Sequence, residues 1–136
     1  MQIIHESFAV NTKHRNEMVD ITSQVQSIIR QAKISTGDCI VYCPHTTAAI
    51  TINENADPSV VHDILMTLED LLPKNRKGYL HSEGNSDSHV KSSLFGYSEQ
   101  IIFKDNTLML GTWQGIYFCE FDGPRSRKVY LQIRGE

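Results

Sequence analysis

The stretch that decides the fold is Glu99–Gly135, EQIIFKDNTLMLGTWQGIYFCEFDGPRSRKVYLQIRG. Four of its segments, EQIIF, TLMLG, GIYFCEF and RKVYLQIRG, are rich in the β-branched and aromatic residues that favour strands. The segments KDNT and DGPR between them carry the Asp, Asn, Gly and Pro residues typical of turns. The C-terminal third of the chain is therefore predicted to form four strands joined by short connections.

The N-terminal half adds further strands of the same kind. IIHESFAV (3–10) and HRNEMVDI (14–21) suggest two opening strands with the polar turn NTK between them. After Gly37 and Asp38, CIVYCP (39–44) begins a third strand, and AAITINE (48–54) alternates in the manner of a fourth. Strands therefore dominate both halves of the sequence.

Two main helices are predicted between these strands. Asp20 or Thr22 can cap the first, whose apolar residues follow helical spacing. Asp57 caps the second, Pro58 occupies its first position, and Pro73 ends it. The second helix carries one apolar stripe, formed by Val60, Val61, Ile64, Leu65, Leu68, Leu71 and Leu72.

The order of these elements predicts the α+β class. Strands come in blocks and the helices do not alternate regularly with them, which argues against a doubly wound sheet. With 136 residues and no visible linker or repeat, the chain is expected to form one compact domain over residues 1–136. An eight-fold barrel needs upward of about 200 residues and is excluded by length.

Composition narrows the choice of partners. The net charge of −3 offers no basic surface for nucleic acid, and no apolar run approaches the ~20 residues that span a bilayer. The opening MQIIHESFAV lacks the pattern of a signal peptide.

Cys39 and Cys43 would lie about 13 Å apart on one strand, too far for a disulfide. Reduced, buried cysteines and a cytoplasmic location are therefore expected.

The first cluster of polar residues is PHTTAAITINENADP (44–58). His45, Thr46 and Thr47 follow one strand, whereas Glu54 and Asn55 end the next strand and precede a helix. The N-terminus of a helix beside strand ends is a common place for anion contacts. The alternative, a plain turn and a helix cap, accounts for Asp57 but not for the HTT sequence.

The second cluster is LHSEGNSDSHVKSSLFG (80–96). Asp87 is predicted to cap a short helix, SHVKSSLF, which Gly96 closes in a left-handed conformation. Three imidazoles, from His45, His81 and His89, would suit zinc or a similar cation and leave one position open. Their spacing matches no strong metal motif, so a structural role for the histidines is the alternative.

The third cluster is formed by GTWQG (111–115) and EFDGPRSRK (120–128). Trp113 and Gln114 lie in a turn bracketed by glycines, and Arg125, Arg127 and Lys128 fall within four residues. Arginine binds phosphate oxygens in bidentate geometry, so this basic segment is a candidate phosphate site. Two hairpin turns without a binding role are the alternative.

The three clusters together resemble the YjbQ family, often labelled secondary thiamine-phosphate synthase. The resemblance rests on PHTTAAITINENADP, HSEGNSDSHVKSSLFG and LGTWQGIYFCEFDGPRSRKV, and it covers the chain almost from end to end. It implies a compact α+β fold with a mixed, mostly antiparallel sheet. It also implies a homotrimer with sites near subunit boundaries, and a metal centre built from histidines of the first two clusters.

The family label implies a transferase that joins hydroxymethylpyrimidine diphosphate to a thiazole phosphate and releases pyrophosphate. The residues expected to take part directly are His89, Glu54 and Arg125. The expected contacts to substrate or phosphate are Thr46, Thr47, Asn55, Lys91, Trp113, Gln114, Arg125 and Arg127. Trp113 would stack on the pyrimidine, and the cationic groups would stabilise the departing charge.

The expected cofactor is a divalent metal. Diphosphate chemistry favours magnesium with oxygen ligands, whereas the histidines His45, His81 and His89 favour zinc. A metal-dependent hydrolase or lyase acting on a small phosphorylated substrate, with Glu54 or Glu83 as base, is the first alternative function. A non-catalytic trimeric protein that binds a metal or metabolite is the second.

Overall fold

The computed structural model describes all residues from Met1 to Glu136. It contains eight strands and three helices. In chain order these are β1 (Gln2–Asn11), β2 (Glu17–Asp20), α1 (Thr22–Ala32), β3 (Gly37–Tyr42), β4 (Ala48–Glu54), α2 (Pro58–Leu71), α3 (Ser86–Phe95), β5 (Ser98–Lys104), β6 (Thr107–Leu108), β7 (Gln114–Glu120) and β8 (Ser126–Gly135).

The strands form two sheets. The larger sheet has the order β1-β8-β3-β5-β6, and the smaller has the order β2-β7-β4. Every strand pair is antiparallel. The α+β class with mostly antiparallel sheets is confirmed, while the mixed pairing that the family resemblance implies does not occur in this chain.

The main core lies between the two sheets, and β7 shows how the strand period builds it. Ile116 and Phe118 join the cluster that also contains Val41 and Leu131 of the larger sheet. The alternate residues Tyr117 and Cys119 pack on the other face of β7, in a second cluster against α2 and α3. The smaller sheet is therefore covered on both faces, as expected when consecutive side chains point in opposite directions.

Helix α2 begins and ends where the sequence predicts. The Asp57 carboxylate accepts a hydrogen bond of 2.9 Å from the Ser59 N–H, Pro58 is the first helical residue, and the helix stops at Leu71. Its apolar stripe is only half covered, because Val61 and Leu68 pack against the second cluster while Leu71 is 67% exposed. No residue of α2 is fully buried.

Other boundaries differ from the predictions. The predicted strand TLMLG is reduced to the two-residue β6, and the second opening strand to Glu17–Asp20. Ile21 occupies the position before α1, although the Asp20 carboxylate does accept a hydrogen bond of 2.9 Å from the Thr22 N–H. Helix α3 closes at Gly96 as predicted, with a positive φ of 93°, but its ψ of 166° lies outside the left-handed helical region that was expected.

All three cysteines are free and buried, which confirms that Cys39 and Cys43 do not pair. Burial raises the pKa of the Cys39 thiol to about 12 and that of Cys43 to about 11, and it raises the pKa of Cys119 as well. The thiols are therefore protonated at neutral pH. None of the three helices is long and apolar enough to cross a membrane.

Candidate functional site

The start of β4 borders a polar cavity of about 300 Å³, called here the arginine pocket. No apolar side chain other than a proline lines it. Its lining residues are Pro44, His45, Thr46, Thr47, Glu83, Asn85, His89, Asp122, Arg125 and Arg127. The pocket thus draws together one part of each of the three clusters recognised in the sequence.

The HTT loop is fixed between β8 and α3. The His45 Nε2 atom accepts a hydrogen bond of 2.9 Å from the backbone N–H of Lys128, and the Thr46 carbonyl accepts one of 2.6 Å from the Ser92 hydroxyl. Thr47 Oγ1 accepts a further bond of 2.9 Å from Arg127 Nη2. Because strand pairing also holds β8, the loop presents its side chains to the pocket at fixed positions.

His45 is a neutral imidazole in this loop. Burial lowers its pKa, and the nearby charge of Arg127 lowers it further. Since Nε2 accepts the Lys128 N–H, the proton resides on Nδ1. The ring therefore offers an N–H donor, and no free lone pair, to a ligand.

The two arginines of the pocket differ in environment. Arg127 is 5% exposed and forms a buried ion pair with Glu120, to which its Nε donates a bond of 2.8 Å. Arg125 is 52% exposed, and its Nε and Nη2 donate to the carbonyl and carboxylate of Asp122 at 2.8 and 2.9 Å. The charge of Arg127 is therefore committed to the fold, whereas Arg125 keeps one edge of its guanidinium free.

Asn85 and His89 form the α3 side of the pocket. Asn85, and not Asp87, occupies the position before α3, so the predicted Asp87 cap is wrong. Asn85 Nδ2 donates a hydrogen bond of 2.8 Å to Asp122 Oδ2. His89 is half-buried, and its ring packs edge-on against His81 with 5.3 Å between centroids.

Lys91 is not available to a phosphate in this pocket, contrary to the prediction. It is 1% exposed, and its Nζ donates a bond of 3.1 Å to Asp87 and lies 3.4 Å from Glu69. Asp87 in turn accepts two bonds of 3.0 Å from Arg15. Lys91 and Asp87 belong to a buried ion-pair network beneath α3, because their positions in the helix turn them away from the pocket.

The predicted metal ligands do not converge. No group of three or more His, Cys, Asp or Glu side chains is placed to hold a metal ion. His81 lies beside His89 but lines adjoining hollows, while Nε2 of His45 is already bonded to the backbone. The three histidines as placed do not fit a zinc centre within this chain.

Four further predicted residues lie at the other end of β4, about 20 Å away at ~3.3 Å per residue. Glu54 pairs with Gln114 in the strand register, and the Asn55 N–H donates to the Trp113 carbonyl at 3.1 Å. Gln114 Oε1 accepts a bond of 2.8 Å from the Gly111 N–H, and Trp113 is 62% exposed. These residues shape a separate turn and do not reach the arginine pocket.

Two pocket residues were missed by the sequence interpretation. Asn85 carries a signal, because Asn is a favoured residue immediately before a helix and the start of α3 was placed only slightly too late. Asp122 also carries one, since it stands three residues before Arg125 in the DGPR turn and pairs with that side chain. Both residues hold other side chains in place, which sequence spacing does not reveal.

Comparisons with known proteins agree with this fold and these clusters. Residues 6–136 match the family described as UPF0047 protein YjbQ-like. A UPF0047 protein of Methanocaldococcus jannaschii is 55% identical, over 95% of this chain and 93% of the relative. The YugU protein of Bacillus subtilis is 47% identical, over 96% of this chain and 98% of the relative.

Solved structures give the same result. A protein of the YjbQ/UPF0047 family from Clostridium acetobutylicum superposes with a TM-score of 0.92 at 50% identity, covering 95% of this chain and 99% of the other. A YbjQ-like protein from Sulfolobus solfataricus superposes with a TM-score of 0.94 at 31% identity, covering 99% of each chain. The chain therefore belongs to the YjbQ-like UPF0047 family.

Proposed function

We propose that the chain is a small-molecule enzyme that binds a phosphorylated metabolite in the arginine pocket. The reaction we propose is a thiamine-phosphate synthase-like transfer, in which hydroxymethylpyrimidine diphosphate and thiazole phosphate are joined and pyrophosphate leaves. The observation that carries the proposal is the free edge of the Arg125 guanidinium beside His89 and the Thr46 hydroxyl, in a cavity without apolar lining other than proline.

The chemistry of this transfer suits such a pocket. The thiazole nitrogen forms a bond to the pyrimidine methylene carbon, and the bond from that carbon to the diphosphate oxygen breaks with its electron pair. Negative charge therefore grows on the leaving group. Arg125 would stabilise that charge as a donor aimed at the diphosphate. His89 would donate a proton to the departing oxygen, which is the ordinary role of an imidazole in general acid catalysis.

Two observations favour a second candidate, a hydrolase or lyase acting on a smaller phosphorylated substrate. Trp113, the residue expected to stack on a pyrimidine, lies at the far end of β4 and not in the pocket. In addition, His81 Nε2 lies 3.8 Å from Glu83 Oε2 and its ring contacts that of His89. A carboxylate and a second imidazole behind His89 would support its action as a base on water.

The divalent metal that we propose is magnesium, bound mainly by the oxygens of the diphosphate substrate. Magnesium usually binds to one or two carboxylates together with substrate phosphates. Glu83 is the pocket carboxylate that makes no bond to an arginine, and it would be the protein ligand. The steps assigned to Arg125 and His89 do not depend on the metal.

The variant Arg125→Ala tests the site. A charge-assisted hydrogen bond contributes ~1.5–3 kcal/mol, so we expect pyrophosphate affinity, measured by calorimetry, to fall about 10- to 100-fold. Pyrophosphate release from the two thiamine precursors should fall at least as far. The fold should be retained, because Arg125 is half exposed and its side chain bonds only to Asp122.

Arg134→Ala is the matched control, since Arg134 is also about half exposed and pairs with a single aspartate, Asp38. Equal pyrophosphate affinity in Arg125→Ala and Arg134→Ala would show that the arginine pocket is not the anion site. Both assays are run with magnesium and with a chelator. Affinity for pyrophosphate without turnover of either the thiamine precursors or a panel of phosphate esters would favour a non-catalytic binding protein.

We also propose that the chain assembles as the homotrimer that the family resemblance implies. The half-covered apolar stripe of α2 supports this, because Val60, Ile64 and Leu68 line an open apolar hollow of about 400 Å³ together with Phe95. Sedimentation velocity is expected to give three times the 15.4 kDa mass of one chain. Ile64→Asp should reduce that mass, and a single-chain mass at every concentration of the unaltered protein would contradict the proposal.

A further inference from the structure

Asn85 is the one residue of the arginine pocket with a buried polar side-chain atom that has no hydrogen-bond partner. Its side chain precedes α3 and the residue is 6% exposed. The amide nitrogen donates a hydrogen bond of 2.8 Å to Asp122 Oδ2. The amide oxygen is buried and has no hydrogen-bond partner, and no other buried side-chain oxygen or nitrogen in the chain is in that state.

The orientation of this amide is fixed by its neighbour. Turning the side chain over would place Oδ1 against the Asp122 carboxylate, where two acceptors would face each other. Asp122 cannot move aside freely, because Arg125 Nη2 holds the same carboxylate oxygen at 2.9 Å. The unpartnered atom is therefore an acceptor, and only a donor can satisfy it.

Buried acceptors in native proteins almost always have a partner, and leaving one unpaired carries a desolvation cost. The other cavity-lining groups of Arg125 and His45 are donors, suited to the oxygens of a phosphate. Asn85 Oδ1 has the opposite character. A ligand that satisfies the whole pocket needs phosphate oxygens and, apart from them, an O–H or N–H group.

We propose that Asn85 is a specificity-determining residue that accepts a hydrogen bond from a hydroxyl or amino group of the phosphorylated ligand. The inference rests on the proposed function and adds the substrate class to it, namely phosphate esters that carry a donor close to the phosphate. Analogues without that donor are rejected, because they leave Oδ1 buried and unpaired.

The test compares matched probes that differ by one hydroxyl group. The probes are 2-hydroxyethyl and ethyl phosphate, 3-hydroxypropyl and propyl phosphate, and pyrophosphate, titrated by calorimetry into the full chain. The better hydroxylated probe is expected to bind about tenfold or more tightly than its alkyl counterpart. Asn85→Leu should bind the two members of each pair with equal affinity. If the leucine variant does not fold, the smaller Asn85→Ala replaces it, with the same expected result.

The possible failures can be told apart. Equal affinity of the unaltered chain for hydroxylated and alkyl probes, with pyrophosphate still bound, overturns the role of Asn85 and leaves the proposed function standing. Absence of binding for every probe, pyrophosphate included, overturns both proposals. Discrimination that persists in both Asn85 variants assigns the selectivity to another residue and also overturns the inference.

Discussion

Asp87→Asn is expected to lower the free energy of unfolding by about 3–5 kcal/mol, the typical cost of breaking one side of a buried ion pair. Asp87 is 0% exposed and accepts bonds from both Arg15 and Lys91. Lys91 is itself 1% exposed, so the substitution leaves its ammonium group buried with only the half-exposed Glu69 and Asn16 nearby. Urea unfolding followed by circular dichroism measures the loss.

A double variant separates the charge from the packing. In Asp87→Asn with Lys91→Met no ammonium remains under α3, so the double variant should be more stable than Asp87→Asn alone. Asp63→Asn is the control, because Asp63 lies on the surface of α2 with only His62 beside it and exposed pairs contribute little. A loss below about 1 kcal/mol in Asp87→Asn would contradict the assignment of this network as a main support of α3.

The same residue makes stability depend on pH. Burial alone raises the pKa of Asp87, but the hydrogen bonds and charges of Arg15 and Lys91 outweigh it and leave the pKa lowered. An aspartate in the unfolded chain titrates near ~3.9. Because the folded pKa is the lower one, the contribution is complete above about pH 5 and is lost as the pH falls through the folded pKa. The stability difference between the unaltered chain and Asp87→Asn should therefore shrink below about pH 4.

Local rules succeeded where the deciding interactions are close in sequence. The cap at Asp57, Pro58 at the first helical position and the closing Gly96 each depend on contacts within a few residues, and the structure confirms all three. The strand AAITINE was also predicted to the residue, since alternation of side chains is a property of the strand alone.

The same rules failed where long-range contacts decide. Asp87 looks like a helix cap in the sequence, but Arg15, 72 residues earlier, draws its carboxylate into the interior. The prediction that Lys91 contacts a phosphate failed for the same reason, because its partner Glu69 lies on another helix and is not visible from the local sequence. Such pairs become visible only when α2, α3 and the segment before β2 are packed together.

Some of the predicted site residues meet in the structure and others do not, again according to the distance over which the deciding interactions act. The clusters around His45, His89 and Arg125 do meet in the arginine pocket, as their shared chemistry suggested. Glu54 was expected there because it lies only nine residues after His45 in the same cluster, and Trp113 because it would stack on the pyrimidine. The intervening strand β4 carries Glu54 to the opposite end of the strand from His45. A short separation in sequence is a long distance when the residues between are extended.

His89→Gln is expected to reduce the rate of pyrophosphate release by about 10²- to 10⁴-fold under the proposed reaction, the usual contribution of a general acid or base. Glutamine keeps the polarity of the side chain but does not transfer a proton. Pyrophosphate affinity should change little, because the His89 ring does not hold Arg125 or the HTT loop in place. Arg125 is held by Asp122, and the loop is held by bonds to Ser92, Arg127 and Lys128. This division between rate and affinity distinguishes a proton-transfer role from a binding role.

Two other histidines make the His89 prediction sharper. His62→Gln on the exposed surface of α2 should leave the rate unchanged, and it controls for the substitution itself. His81→Gln should cause a smaller loss than His89→Gln, because His81 contacts His89 from an adjoining hollow and lines no part of the arginine pocket. If His89→Gln keeps more than about a tenth of the rate, the proton is transferred by another group.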